Sequence, residues 1–246
     1  MPASADPAIR LTAGFAPGAC LGASSEMHAA LHIDSGRVRG QLTSARVLYP
    51  KGLGLVASGL GLATCTRPQS EFRSVLIRGR GLDGCPPNAV LGYGTARAEV
   101  RLLAGQVIEE TATLTVLSGP LQLGALGLVV FVDGQRPLGA KLVFAGEVGA
   151  GHGPFGGSLA VRLPAIPSIA DLATVALTDL RLSIGSRRIT YYKRVRGKRV
   201  GYHPEGIALP VRCPKGGFRF RAQLGFDDGA RLSAETTVSC ARLAPA

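Results

Sequence analysis

Cys213-Pro-Lys-Gly-Gly-Phe-Arg-Phe-Arg-Ala-Gln-Leu-Gly-Phe-Asp-Asp-Gly-Ala-Arg-Leu-Ser-Ala-Glu-Thr-Thr-Val-Ser-Cys240 is the stretch that decides the fold class. Phe218, Phe220, Ala222, Leu224 and Phe226 alternate with Arg219, Arg221, Gln223 and Gly225. A period of two places one set on a buried face and the other on a wet one, as in a half-buried strand. Asp227-Asp228-Gly229 fits a three-residue hairpin loop, with Gly229 at the left-handed position. That loop sets Leu224 opposite Leu232, Ala222 opposite Ala234 and Phe218 opposite Val238, so both strands bury one face. Gly216 then falls opposite Cys240, and Cys213 lies just beyond a flexible Gly-Gly, which suits a disulfide at the hairpin base.

Outward from this hairpin the same alternation recurs. Strands are expected at 8–15, 25–34 and 44–49, the last stopped by Pro50. In the second, Met27, Ala29, Leu31 and Ile33 form the apolar face, with His28, Ala30 and His32 opposite. A Gly-rich apolar run, 51–64, reads as a buried loop or irregular strand. Thr66-Arg-Pro-Gln69 has the form of a capping box and predicts one short helix near 67–77. Strands follow at 92–103, 106–117, 122–133 and 138–148, the third turning at Asp133-Gly134, then at 158–164 and 173–184. A hairpin made of 187–194 and 199–203 is expected around Arg196-Gly197-Lys198, and a strand at 206–212 leads to the closing hairpin. Many short strands between turn signals, with one helix, predict an all-β chain: an antiparallel β-sandwich, immunoglobulin-like or related. The Gly-rich run 149–157 suggests a boundary between sandwiches at 1–148 and 149–246. The alternative is one continuous β domain, 1–246.

Composition narrows function more than it assigns it. The chain has 246 residues, 46% of them hydrophobic, enough for a substantial core. Its net charge is +12, drawn from 23 Arg and 5 Lys, which favours contact with anionic surfaces. The plainer reading is solvated arginines on outer strand faces. Trp is absent and aromatics are 5%, too few for a broad stacking platform. Five cysteines contain no Cys-x-x-Cys, which argues against a zinc ribbon or thioredoxin-type site. Spaced this way in a Gly- and Pro-rich β chain, they suit an exported protein with a few bridges. Cys65 with Cys85 and Cys213 with Cys240 is the favoured pairing, leaving Cys20 free, though spacing alone leaves other connectivities open. The opening Met-Pro-Ala-Ser-Ala-Asp-Pro lacks the pattern of an export signal, so the expected compartment is secreted or cell envelope with a start further upstream, and cytoplasmic if Met1 is the true start. The longest apolar run, Leu123 to Val132, is too short to span a bilayer as a helix.

Catalytic constellations are thin. There is no Gly-x-Ser-x-Gly, His-Glu-x-x-His or P-loop, and nothing calls for a cofactor or metal. Gly52-Leu-Gly-Leu-Val-Ala57 is a weak dinucleotide fingerprint without the βαβ context it needs. On a strand His28 and His32 stand about 13 Å apart, too far to share one ion. Glu109 and Glu110 point to opposite faces and cannot act as an acid–base pair. The most specific surface feature is Arg187-Arg-Ile-Thr-Tyr-Tyr-Lys-Arg-Val-Arg-Gly-Lys-Arg-Val-Gly-Tyr202. Arg187, Arg188, Lys193, Arg194, Arg196, Lys198 and Arg199 supply seven cations, interleaved with Tyr191, Tyr192 and Tyr202. Such a hairpin can grip phosphates or uronates through Arg forks and stack a ring. The alternative is a solvated hairpin whose charges block edge-to-edge association.

Several stretches together carry a resemblance: Gly59-Leu-Gly-Leu-Ala-Thr-Cys65, Gly84-Cys-Pro-Pro-Asn-Ala-Val-Leu-Gly92, Ile189-Thr-Tyr-Tyr-Lys-Arg-Val-Arg-Gly197, Cys213-Pro-Lys-Gly-Gly-Phe218, Asp228-Gly229 and Cys240. In order and spacing the chain resembles a family of exported, β-rich, disulfide-containing actinobacterial proteins of unknown function. The resemblance implies export and supports pairing Cys65 with Cys85 and Cys213 with Cys240. It implies no activity, ligand or catalytic residue. Absence of an export signal and the extra Cys20 depart from the pattern. The resulting expectation is a non-enzymatic structural or adhesive module of the cell envelope. Contact with anionic cell-surface polymers comes next, nucleic acid being the less favoured partner, and a hydrolase assembled from scattered residues last.

Overall fold

Alternating apolar side chains fold into fifteen strands among the residues that the computed structural model describes: 8–38, 40–54, 59–66, 85–102, 105–122, 125–136, 139, 141–163 and 173–240. They are β1 (Ile9–Phe15), β2 (Ser24–Ser25), β3 (Met27–Ile33), β4 (Leu42–Pro50), β5 (Val90–Leu102), β6 (Val107–Gln122), β7 (Ala125–Arg136) and β8 (Lys141–Ala150). β9 (Phe155–Arg162), β10 (Ala173–Ile184), β11 (Tyr191–Val195), β12 (Lys198–Tyr202), β13 (Ile207–Ala208), β14 (Phe218–Phe226) and β15 (Arg231–Val238) complete the set. A single 3-10 turn, Pro87–Ala89, precedes β5. The helix expected near 67–77 lies outside the described residues.

Eleven strands form one sheet in the order β1-β3-β10-β5-β6-β7-β8-β9-β4-β14-β15, every neighbouring pair antiparallel. The sheet curls until β1 lies against β15, giving a near-closed, sandwich-like all-β fold. Ten antiparallel steps leave β1 and β15 running in the same direction, and no backbone ladder joins them among the described residues. Two apolar clusters fill the interior. Ile9, Leu11 and Ile33 meet Phe218, Phe220 and Phe226 in one, where the Phe15 and Phe218 rings pack edge to face at 5.1 Å. In the other, Leu91, Val116, Leu128, Val130 and Ile184 pack together.

The closing hairpin has the register its alternation predicts. β14 buries Phe218, Phe220, Ala222, Leu224 and Phe226. Leu224 pairs with Leu232, Ala222 with Ala234 and Phe218 with Val238. Gly229 takes φ 84° in the loop, and Cys213 is bonded to Cys240 at its base.

Other expectations need correction. Asp133-Gly134 does not turn; β7 continues to Arg136, because the ladder to β6 carries the chain through and Asp133 also pairs with Lys141 on β8. The glycines of 149–157 bend a β8–β9 hairpin, with Ala150 opposite Gly157. β10 sits between β3 and β5, and β4 between β9 and β14, so strands from either side of position 149 alternate within one sheet. The strand expected at 206–212 shrinks to Ile207–Ala208, paired with β2.

Alternation of strand direction defines two ends. Val90, Ser118 and Ile184 lie at one, which we call the cap end; Leu42, Arg162, Phe226 and Arg231 lie at the other. Irregular segments converge at the cap end. Ala63 N–H donates to the Asn88 carbonyl, Cys65 N–H to Ser118 and Gly185 N–H to Leu91. Cys65 is bonded to Cys85 there, and Cys20 remains a free thiol.

Candidate functional site

Arg196 and Gly197 both take positive φ, 49° and 78°, which makes a two-residue turn whose twist matches the flanking strands. The turn is therefore Arg196-Gly197, with Lys198 already in β12, and β11 begins at Tyr191 rather than 187. β11 and β12 form their own two-stranded sheet, with Tyr191 opposite Tyr202, Lys193 opposite Val200 and Arg194 opposite Arg199. What fixes this ribbon to the body is mostly Tyr191. Its side chain is fully buried, its hydroxyl donates to the Val90 carbonyl at 2.6 Å, and it accepts from Gly61 N–H at 2.9 Å. Burial raises the Tyr191 pKa above the usual tyrosine value, partly offset by the Gly61 hydrogen bond. The Asn88 amide adds a second clamp, donating to the Tyr192 carbonyl and accepting from Tyr192 N–H at 2.9 and 2.8 Å.

Pleating sorts the ribbon's side chains. Tyr192, Arg194 and Arg199 share one face, where the Arg199 guanidinium lies 3.7 Å from the Tyr192 ring centroid. Lys193, Val195, Lys198 and Val200 share the other with half-buried Tyr202, and Lys193 Nζ sits 5.2 Å over the Tyr202 ring. Arg187 and Arg188 occupy an exposed turn just before the ribbon. Of the ten expected contact residues, the structure thus exposes Arg187, Arg188, Tyr192, Lys193, Arg194, Arg196, Lys198 and Arg199, half-buries Tyr202 and turns Tyr191 inward. None of the seven cations pairs with a carboxylate among the described residues.

Beside the ribbon lies a shallow trough of about 860 Å³ on the outer face of β1, β3, β10 and β5. It adds Arg181 and the exposed Tyr93 to Arg187 and Arg188. Sequence reasoning missed both, since they approach only once β10 lies beside β5, with Ser183 opposite Tyr93 and Arg181 opposite Thr95. His28 also borders this trough. Its Nδ1 is 2.8 Å from Ser183 Oγ and 3.7 Å from Glu26 Oε1. Both partners meet the same ring nitrogen, whereas a serine–histidine–acid relay needs one on each. His32 Nδ1 instead meets Asp179, at 3.0 Å. Among the described residues, no three of His, Cys, Asp and Glu come together to hold a metal ion.

Glu109 is exposed and Glu110 buried, on opposite faces of β6 as their adjacency requires, and Glu110 accepts from Gly139 N–H. No helix among the described residues is long and apolar enough to cross a membrane. The arrangement at the cap end is one of guanidinium and ammonium groups, without a carboxylate partner among the described residues, beside two accessible tyrosine rings, chemistry suited to holding anions at several points. No family model matches the chain, and no curated protein or solved structure matches it.

Proposed function

We propose that this chain is an exported, non-enzymatic β module of the cell envelope whose cap-end ribbon holds anionic cell-surface polymer. The observation that carries this reading is the concentration on the 187–202 segment of seven cations that meet no carboxylate among the described residues. Export is supported by two disulfides, which belong to oxidising compartments. Family membership among exported actinobacterial β proteins would agree with it. An acidic glycan suits the surface better than nucleic acid, because two separated rings, Tyr93 and Tyr192, make a poor platform for successive bases.

The test is salt-dependent retention on an immobilised polyanion before and after Arg194→Gln, Arg196→Gln, Lys198→Gln and Arg199→Gln in one variant. Screening weakens such contacts, so the variant should elute at distinctly lower salt than the parent. Equal retention of the two proteins would assign the binding to diffuse charge and end the proposal.

A further inference from the structure

A second basic surface lies away from the cap, on the outer face of β8, β9, β4, β14 and β15. There a trough of about 1060 Å³ has a floor of small side chains, Ala160, Ser44, Gly225 and Ser233. Small residues leave the sheet backbone uncovered, so an extended chain can approach closely. Arg46, Arg162 and Arg231 line it together with Gln223, against a single carboxylate among the described lining residues, Glu147 at one margin. None of these three arginines pairs with a carboxylate among the described residues, whereas neighbouring Arg219 and Arg221 are both taken by Glu235.

Register fixes the spacing. Arg162 pairs with Ser44, Ser44 with Gly225 and Gly225 with Arg231, so Arg162 and Arg231 end one row across four strands. Arg46 lies two residues along β4 from Ser44. Strand spacing and rise then separate Arg162 from Arg46 by about 8 Å and from Arg231 by about 14 Å at Cα. Charges spread this far apart suit a polymer bearing repeated anions rather than one small ion. Gln223, Ser44 and Ser233 between them offer amide and hydroxyl partners for a polyol backbone. Among the described residues, no aromatic ring is exposed on this trough to stack a base.

We propose that this trough is a separate binding site for an acidic polysaccharide, its carboxylates held in the forks of Arg46, Arg162 and Arg231. The site stands apart from the ribbon, at the other end of the strands, and does not depend on the ribbon binding anything.

The test uses the full chain carrying the four ribbon substitutions as background, polygalacturonate as probe and neutral dextran as control. Binding is read by titration and by amide chemical shifts. The background protein should still bind polygalacturonate, with shifts centred on Ser44, Ala160 and Gly225. Adding Arg46→Gln, Arg162→Gln and Arg231→Gln should weaken binding by at least about tenfold, the loss expected from even one arginine fork. Ala160→Gln, which raises the floor at constant charge, should weaken it too. Failure of the background protein to bind would overturn the proposal, as would unchanged affinity in the triple variant or in Ala160→Gln, or shifts mapping elsewhere. A fault in the ribbon reading appears differently, as parent and background proteins of equal affinity.

Discussion

The Tyr191 hydroxyl and the Val90 carbonyl, 101 residues apart in sequence, are joined by a 2.6 Å hydrogen bond inside the core. Through it a surface ribbon is tied to the first residue of a central strand. Tyr191→Phe keeps the ring and removes the hydroxyl, leaving the Val90 carbonyl and Gly61 N–H without their shared partner. Such orphaned buried groups cost about 1–3 kcal/mol. A lower denaturant midpoint with an unchanged slope is the expected result, and an unaltered midpoint would mean the ribbon is held by other contacts.

At the ribbon's tip, Arg196 occupies the left-handed region at φ 49°, where asparagine is tolerated better than arginine. Arg196→Asn creates the Asn-Gly pair that two-residue turns prefer. Thermal stability should stay level or rise slightly while polyanion retention falls. A marked loss of stability would mean that the Arg196 side chain is needed for the fold.

Two carboxyls link stability to pH. Burial raises the Glu235 pKa, but hydrogen bonds from Arg219 and Arg221 more than offset it, and the net pKa is lowered. Hydrogen bonds from Arg101 and then Ser35 lower that of Glu99. A depressed folded-state pKa contributes stability above the unfolded value of 4.5 that is lost as pH falls through the folded one. The midpoint should therefore fall with acidification below about pH 4.5. Glu235→Gln should flatten that limb, and a limb of equal steepness would place the effect elsewhere.

The disulfide at the base of the closing hairpin spans 27 residues. Closing a loop of this length restricts the unfolded chain by about 3.5 kcal/mol. Cys213→Ala with Cys240→Ala should lower stability by a comparable amount and leave the β14–β15 register intact. Mass spectrometry of unreduced native protein should find two disulfides and one thiol, Cys20; five thiols would remove the argument for export.

Local features were legible because they rest on local rules. Phe218 to Phe226 announces its buried face by strict alternation, and Asp227-Asp228-Gly229 its loop, so the register of β14 on β15 follows. Met27, Ala29, Leu31 and Ile33 could be read in the same way. Sheet order could not be read, because nothing in β3 or β5 alone says that β10 will lie between them. That order is what brings Tyr93, Arg181 and Arg187 to one trough and Arg46, Arg162 and Arg231 to another. Tyr191 was misleading for a related reason: the partners of its hydroxyl, Val90 and Gly61, lie far away in sequence.

The meeting of β1 and β15 has a kinetic consequence. Eleven alternating strands cannot close on themselves without two parallel neighbours, and here those neighbours touch without a ladder among the described residues. Among the described residues no ladder protects that line, whereas β6 and β7 are each paired on both sides. The molecule therefore has a built-in place to start coming apart, and deuterium should enter the seam-facing edges of β1 and β15 while β6 and β7 are still fully protected.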